Sequence, residues 1–246
     1  MLDEPPALAS PAEVERQAAR LAALGRDAGA RMARAFSTPA SEEAHRVLRE
    51  LLAERAAGED STPGRPVGLE EGQTIGAAAG VAVHGVLEAL DLAGGLAKQL
   101  AAASSSLRAT LEGLVAPRAL DDAVERAGAI LARVAAGPLL ARLQEIAPHV
   151  LARELPVLLP PGVSDGPVGF VSGALDLVYR DPASGRVVIA DYKTDDVAGE
   201  GEVRERVAAY ALQGAVYRRA LQEALGLAEA PRFELWFLHT GRIEEA

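Results

Sequence analysis

Asp176, Asp191 and Lys193 stand in two short apolar runs, "GALDLVYR" and "RVVIADYK", joined by the turn-forming segment "DPASGR". Pro182 early and Gly185 late mark that segment as a hairpin loop. If Asp181 and Arg186 close a four-residue loop, a common length, every opposing pair of residue numbers sums to 367, as theirs does. Asp176 then falls opposite Asp191, and Lys193 shares the face of Asp191 two residues on. Directly opposed side chains have Cβ atoms roughly 4.5–5.5 Å apart, and like charges there destabilise a sheet unless a cation lies between them. A divalent metal with oxygen ligands would turn that liability into a site.

Lys193 is one of only two lysines among 25 basic residues, the other 23 being arginine. An ion pair with Asp191, Asp195 or Asp196 would be served equally well by arginine. A lysine ammonium, unlike a guanidinium, is compact and can release its proton near an attacking water or a phosphate. Three further positions could belong to such a site. His84 and Glu88 lie four apart on one helical face in "GVAVHGVLEAL". A lone histidine there is either structural or, beside two carboxylates, a third ligand, whereas Glu88 reads as exposed or ion-paired. Glu154 in "RELPVLLP" is either an outer ligand or an ordinary acid at a strand start.

The elements that must position these groups change texture along the chain. Residues 1–72 form an Ala/Arg/Glu-rich N-terminal extension, with helical patterns near 11–35 and 41–57 and then the linker "GEDSTPGRPVG". Residues 73–150 are Ala/Leu-rich and read as several helices, with a helical insertion around 94–150. From 151 onward come three strands, a long helix over about 202–225 and a final strand, "RFELWFLHT". Along that helix Val203, Val207, Tyr210, Gly214, Tyr217 and Leu221 form a stripe that packs on the sheet. Gly214 on the stripe predicts a close approach to a neighbour. Gln213 flanks it, within reach of Tyr210 and Tyr217. The order implies an α/β fold with a central mixed sheet flanked by helices. Arg204, Arg206, Arg218 and Arg219 offer either a phosphate-binding strip or a solvated face.

Composition narrows the class. The chain has 246 residues, a formal net charge of −10 and no cysteine. The charge argues against unspecific coating of nucleic acid, without excluding a local basic groove. Absence of cysteine removes disulfides and thiolate-bound metal clusters and fits a cytoplasmic protein. No apolar run is long enough to span a membrane. No Gly-x-x-x-x-Gly-Lys-Ser/Thr loop is present, so the chain is expected to bind no nucleotide and not to be a helicase itself.

"SGALDLVYRDPASGRVVIADYKT" resembles the core of the PD-(D/E)XK nuclease superfamily, and more narrowly the nuclease domain of RecB- and AddA-type helicase–nucleases. The matching residues are Gly173, Asp176, Asp191, Tyr192, Lys193 and Thr194. "GVAVHGVLEAL" is similar to the family's upstream metal-binding helix, with His84 in the ligand's place. "YALQGAVY" is similar to its downstream Tyr-x-x-Gln-x-x-x-Tyr motif, with Tyr210, Gln213 and Tyr217 in place. The resemblance extends over roughly residues 73–243, and implies the restriction-endonuclease-like core over 73–246. It further implies a Mg²⁺- or Mn²⁺-dependent deoxyribonuclease, an exonuclease acting on single strands or duplex ends with a helicase partner or parent chain in DNA repair and recombination. His84, Asp176, Asp191 and the Tyr192 backbone carbonyl would hold the metal, with Glu154 as an outer acid. Lys193 would orient the water, and Gln213 would position Lys193 or a phosphate. The cysteine-free chain departs from relatives with an iron–sulfur cluster. A catalytically silent DNA-binding or scaffold module is the alternative, but a scaffold gains nothing from opposed carboxylates.

Overall fold

The computed structural model describes residues 11–32, 37–39, 69–159, 170–197 and 199–246. In chain order these form α1 (Pro11–Met32), β1 (Ser37–Pro39), α2 (Leu69–Ala89), α3 (Leu96–Ala103), α4 (Leu107–Leu111), α5 (Leu120–Ala136) and α6 (Pro138–Ile146). There follow β2 (Val150–Leu159), β3 (Phe170–Arg180), β4 (Val187–Lys193), α7 (Glu200–Leu225), β5 (Arg232–Phe237) and β6 (Arg242–Glu245). The helix expected near 11–35 is α1. The one expected at 41–57, and the linker after it, lie outside the described residues.

The β3–β4 hairpin has the register expected of a loop closed by Asp181 and Arg186. Leu177 faces Ala190, Val178 faces Ile189 and Arg180 faces Val187. Asp181 N–H donates to the Arg186 carbonyl at 2.8 Å, and Gly185 takes the left-handed φ of +72° that the turn requires. The Asp181 side chain stabilises the loop by accepting from Ser184 N–H at 2.9 Å and from its hydroxyl at 2.6 Å.

Around this hairpin the sheet is mixed. β2 pairs antiparallel with β3, β5 pairs parallel with β4 after the α7 crossover, and β6 pairs antiparallel with β5. β6 and the short β1 were not anticipated. β1 and β4 share the β3 edge opposite β2, β1 at residues 170–172 and β4 at 177–180. Between them, Gly173 to Asp176 has no ladder partner on that edge among the described residues. Asp176 stands at that opening, where Tyr192 N–H donates to its carboxylate.

Both faces of the sheet are buried. Leu177, Tyr179, Val188, Ala190, Tyr192 and Trp236 pack with residues of α2 to α6. Val178, Val187, Ile189, Phe233, Leu235 and Phe237 lie under α7, against Val203, Tyr217, Ala220 and Leu221. Each such aliphatic or aromatic side chain contributes about 1.5–3 kcal/mol through burial. At the sheet end away from Lys193, buried Glu234 accepts from Tyr179 Oη at 2.7 Å and Trp236 Nε1 at 3.0 Å. Arg142 of α6 donates to Tyr179 Oη at 3.1 Å and Asp181 Oδ1 at 3.0 Å, which ties the helical layer to the hairpin.

The close approach expected at Gly214 is present. A Cβ there would stand 2.3 Å from the nearest Phe233 ring atom. Gly214→Ala should therefore destabilise the fold by about 1–3 kcal/mol, because overpacking outweighs the gain in helix propensity. Thermal melting checks this. A higher melting temperature would mean that Phe233 can swing clear.

Candidate metal and catalytic centre

The hairpin ladder ends at Leu177 and Ala190, one pair short of the aspartates. Tyr192 N–H donates instead to Asp176 Oδ2 at 2.6 Å, so a carboxylate takes the place of a backbone acceptor. Leu175 belongs to the core under α7, whereas Leu177, two residues on, belongs to the core under the other helices. A regular pleat would put both on one face. The alternation therefore breaks at Asp176, and across from it on β2 the pairing skips Glu154 between Arg153–Leu177 and Leu155–Leu175.

Glu154 carries a φ of +43° in the middle of β2. It is not a strand-start acid. The left-handed region costs a non-glycine residue about 1–3 kcal/mol, and such strain gathers at functional sites. Here it accompanies a gathering of donors, for single ligand atoms of His84, Glu154 and Asp176 all lie within 4.8 Å of one another. His84 Nδ1 is 3.5 Å from Asp176 Oδ1, and its ring meets the buried Tyr192 edge-on with centroids 5.8 Å apart. Burial opposes protonation of His84, but Asp176, Asp191 and Glu154 outweigh it and raise its pKa. The Glu154 carboxyl is raised too, by burial and then by Asp176. Glu88 is exposed and outside the group.

Asp191 lies on the α7 side of the centre, where Lys193 Nζ contacts its Oδ2 at 2.5 Å. That oxygen is buried and has no partner in good hydrogen-bond geometry. Burial raises the Asp191 carboxyl to about 6, with Lys193 opposing and Asp176 reinforcing the shift. Lys193 is itself enclosed. Its Nζ donates to Gln213 Oε1 at 3.2 Å and sits 3.7 Å from the centroid of the Tyr210 ring. Gln213 Nε2 donates to Asp191 Oδ1 at 3.4 Å and to Tyr217 Oη at 3.1 Å, so one buried amide bridges acid, base and helix. Tyr210 Oη donates to Asp195 Oδ2 at 2.9 Å.

The motif residues from four separate segments thus meet at one end of the sheet. The donor set fits a hard divalent cation: clustered carboxylates and an imidazole, with the buried Asp191 carboxylate, ion-paired to Lys193, beside them. A family model for the PD-(D/E)XK nuclease superfamily matches residues 65–246. The chain belongs to this superfamily. No curated protein matches it. Members of the superfamily are metal-dependent nucleases, which agrees with the donor set here, and the mixed sheet with flanking helices is consistent with their restriction-endonuclease-like core. No helix among the described residues is long and apolar enough to cross a membrane.

Asp195, which the sequence offers as a partner for Lys193, instead holds Tyr210, and Arg206 Nε lies 3.6 Å from its other oxygen. Its place two residues after Lys193 in "DYKTDD" is the one signal that pointed to it. Of the arginines on α7, Arg206 and Arg219 are engaged with acids, Arg219 with Glu223 at 2.8 Å. Those two are not free for a phosphate, whereas Arg204 and Arg218 have no ion-pair partner within 4.0 Å among the described residues.

Glu154→Gly offers a test of the strained position. Glycine takes the left-handed conformation without penalty, so the variant should melt at the wild-type temperature or above it. If the carboxylate is a ligand, divalent-ion affinity measured by calorimetry should fall at least about tenfold, the lower end for loss of a group supporting a metal. A lower melting temperature with unchanged affinity would make Glu154 structural.

Proposed function

We propose that the chain is a Mg²⁺- or Mn²⁺-dependent deoxyribonuclease that degrades DNA from strand ends, with its motor supplied by a helicase partner or by a longer parent chain in repair and recombination. The likeness of its motifs to RecB- and AddA-type nuclease domains supports the finer part of this reading. The observation that carries the chemistry is the enclosed Asp191–Lys193 pair beside the His84–Glu154–Asp176 group.

His84, Asp176, Asp191 and the Tyr192 carbonyl would hold the ion, with Glu154 as an outer acid. When bound, such an ion lowers the pKa of a water and offsets charge on the phosphate. Lys193, as an ammonium, orients the attacking water and stabilises charge on the phosphate. Gln213 keeps the Lys193 ammonium within reach of Asp191, and the Tyr210 face closes its other side. Cleavage leaves a 5′-phosphate and a 3′-hydroxyl. Incubation with end-labelled single- and double-stranded DNA in Mg²⁺, Mn²⁺ or EDTA tests this. Stepwise loss of terminal nucleotides that EDTA abolishes is the expected result. Binding without cleavage in either metal would instead establish a silent DNA-binding module.

A further inference from the structure

We propose that Arg126 and Arg133 form a second anion subsite, which holds the phosphodiester backbone of the substrate strand beside the catalytic centre. The inference rests on the nuclease reading above. The two arginines are seven apart on α5, two turns along one face and about 10 Å from each other. Neither has a carboxylate partner within 4.0 Å among the described residues. In a chain with a formal net charge of −10, these two guanidiniums on one face of α5 make a local positive field that no neighbouring carboxylate among the described residues cancels.

Their placement follows one face of α2. The nearest atom to a Cβ built at Gly76 is Arg126 Nε at 4.0 Å, and one built at Gly80 meets Thr194 Oγ1 at 3.0 Å. One turn further on, His84 meets Asp176. From position 76 to position 84 is about 12 Å along the helix axis. Arg126, the Thr194 end of the catalytic strand and the metal-type group are therefore aligned along α2.

Arg133 reaches the same region from the other side. Its Nη1 lies 2.9 Å from Nδ1 of His239, in the turn after β5. A guanidinium only donates, so Nδ1 is the acceptor and His239 is a neutral ring with its proton on Nε2. A neutral acceptor fixes Arg133 without cancelling its charge and leaves its remaining donors for an anion. Nε2 is buried with no partner among the described residues, a cost with no compensating bond. The turn is tied to the catalytic strand by Leu238 N–H, which donates to the Lys193 carbonyl at 2.9 Å. Asp195 and Asp196 also act on His239, but Asp195 is held by Tyr210 and Arg206. A polyanion with regularly spaced charges is the ligand that two separated guanidiniums suit.

The test is the salt dependence of binding of a single-stranded oligonucleotide in Ca²⁺. Each phosphate contact contributes roughly 0.7 to the slope of log K against log salt for a single strand. Replacing both arginines, Arg126→Gln with Arg133→Gln, should flatten that slope by about 1.4 and weaken binding at low salt at least about tenfold. The charge-retaining pair Arg126→Lys with Arg133→Lys should keep the wild-type slope, and so should the control Arg219→Gln. A wild-type protein that cleaves DNA, with a glutamine pair that matches its slope and affinity, overturns the subsite alone. The subsite is overturned equally if the lysine pair loses the slope as the glutamine pair does. A wild-type protein that neither binds nor cleaves DNA overturns the nuclease reading and the subsite together.

Discussion

Asp191→Asn should leave a folded chain that cleaves no DNA and binds Mg²⁺ at least about tenfold more weakly. The substitution keeps shape while removing a buried charge, so loss of activity cannot be blamed on collapse of the core. Burial raises the wild-type carboxyl to about 6, above its value of roughly 3.9 in an unfolded chain. The sign follows. Stability from this group is fully present below the unfolded value and is lost as pH rises through about 6. Metal-free wild type should therefore lose stability between about pH 4 and about pH 6, the window spanned by those two values. The asparagine variant should show a shallower dependence. Calorimetry for the ion and thermal melting across pH check both parts, and unchanged Mg²⁺ affinity in the variant would remove Asp191 from the metal site.

Lys193→Arg should lower the cleavage rate by at least about 10²-fold, the lower end for loss of a positioned donor that stabilises developing charge. The charge survives, so a lysine that merely neutralised Asp191 would be replaced silently. The surroundings leave little room, however. Asp191 Oδ2 at 2.5 Å, Gln213 Oε1 at 3.2 Å and the Tyr210 ring face at 3.7 Å enclose a compact ammonium. A planar guanidinium cannot satisfy all three at those distances. DNA binding in Ca²⁺ should change far less than the rate. Near-wild-type cleavage by the arginine variant would show that Lys193 only balances charge.

Much of this site was legible because its parts are local. Turn chemistry at Pro182 and Gly185, together with the period of two along a strand, determined the hairpin register from Leu177–Ala190 to Arg180–Val187 and put Asp191 and Lys193 on one face of β4. The stripe on α7 and the close contact at Gly214 followed from helical spacing alone. What no spacing could show was decided by contacts between distant segments. The left-handed turn of Glu154 accompanies a break in pleating at Asp176, and only pairing with β3 reveals that break. Asp195 acquires a role because Tyr210, from another element, reaches it. Arg126 and Arg133 stand near the site because α5 packs on α2. β1 and β6 are too short to carry a periodic signal, and become strands only because β3 and β5 offer free edges. Away from the break at Asp176, local backbone periodicity read from the sequence is enough to assign side chains to the faces of each element. The tertiary structure decided which faces meet, since that depends on how the helices and the sheet bury their apolar surfaces together.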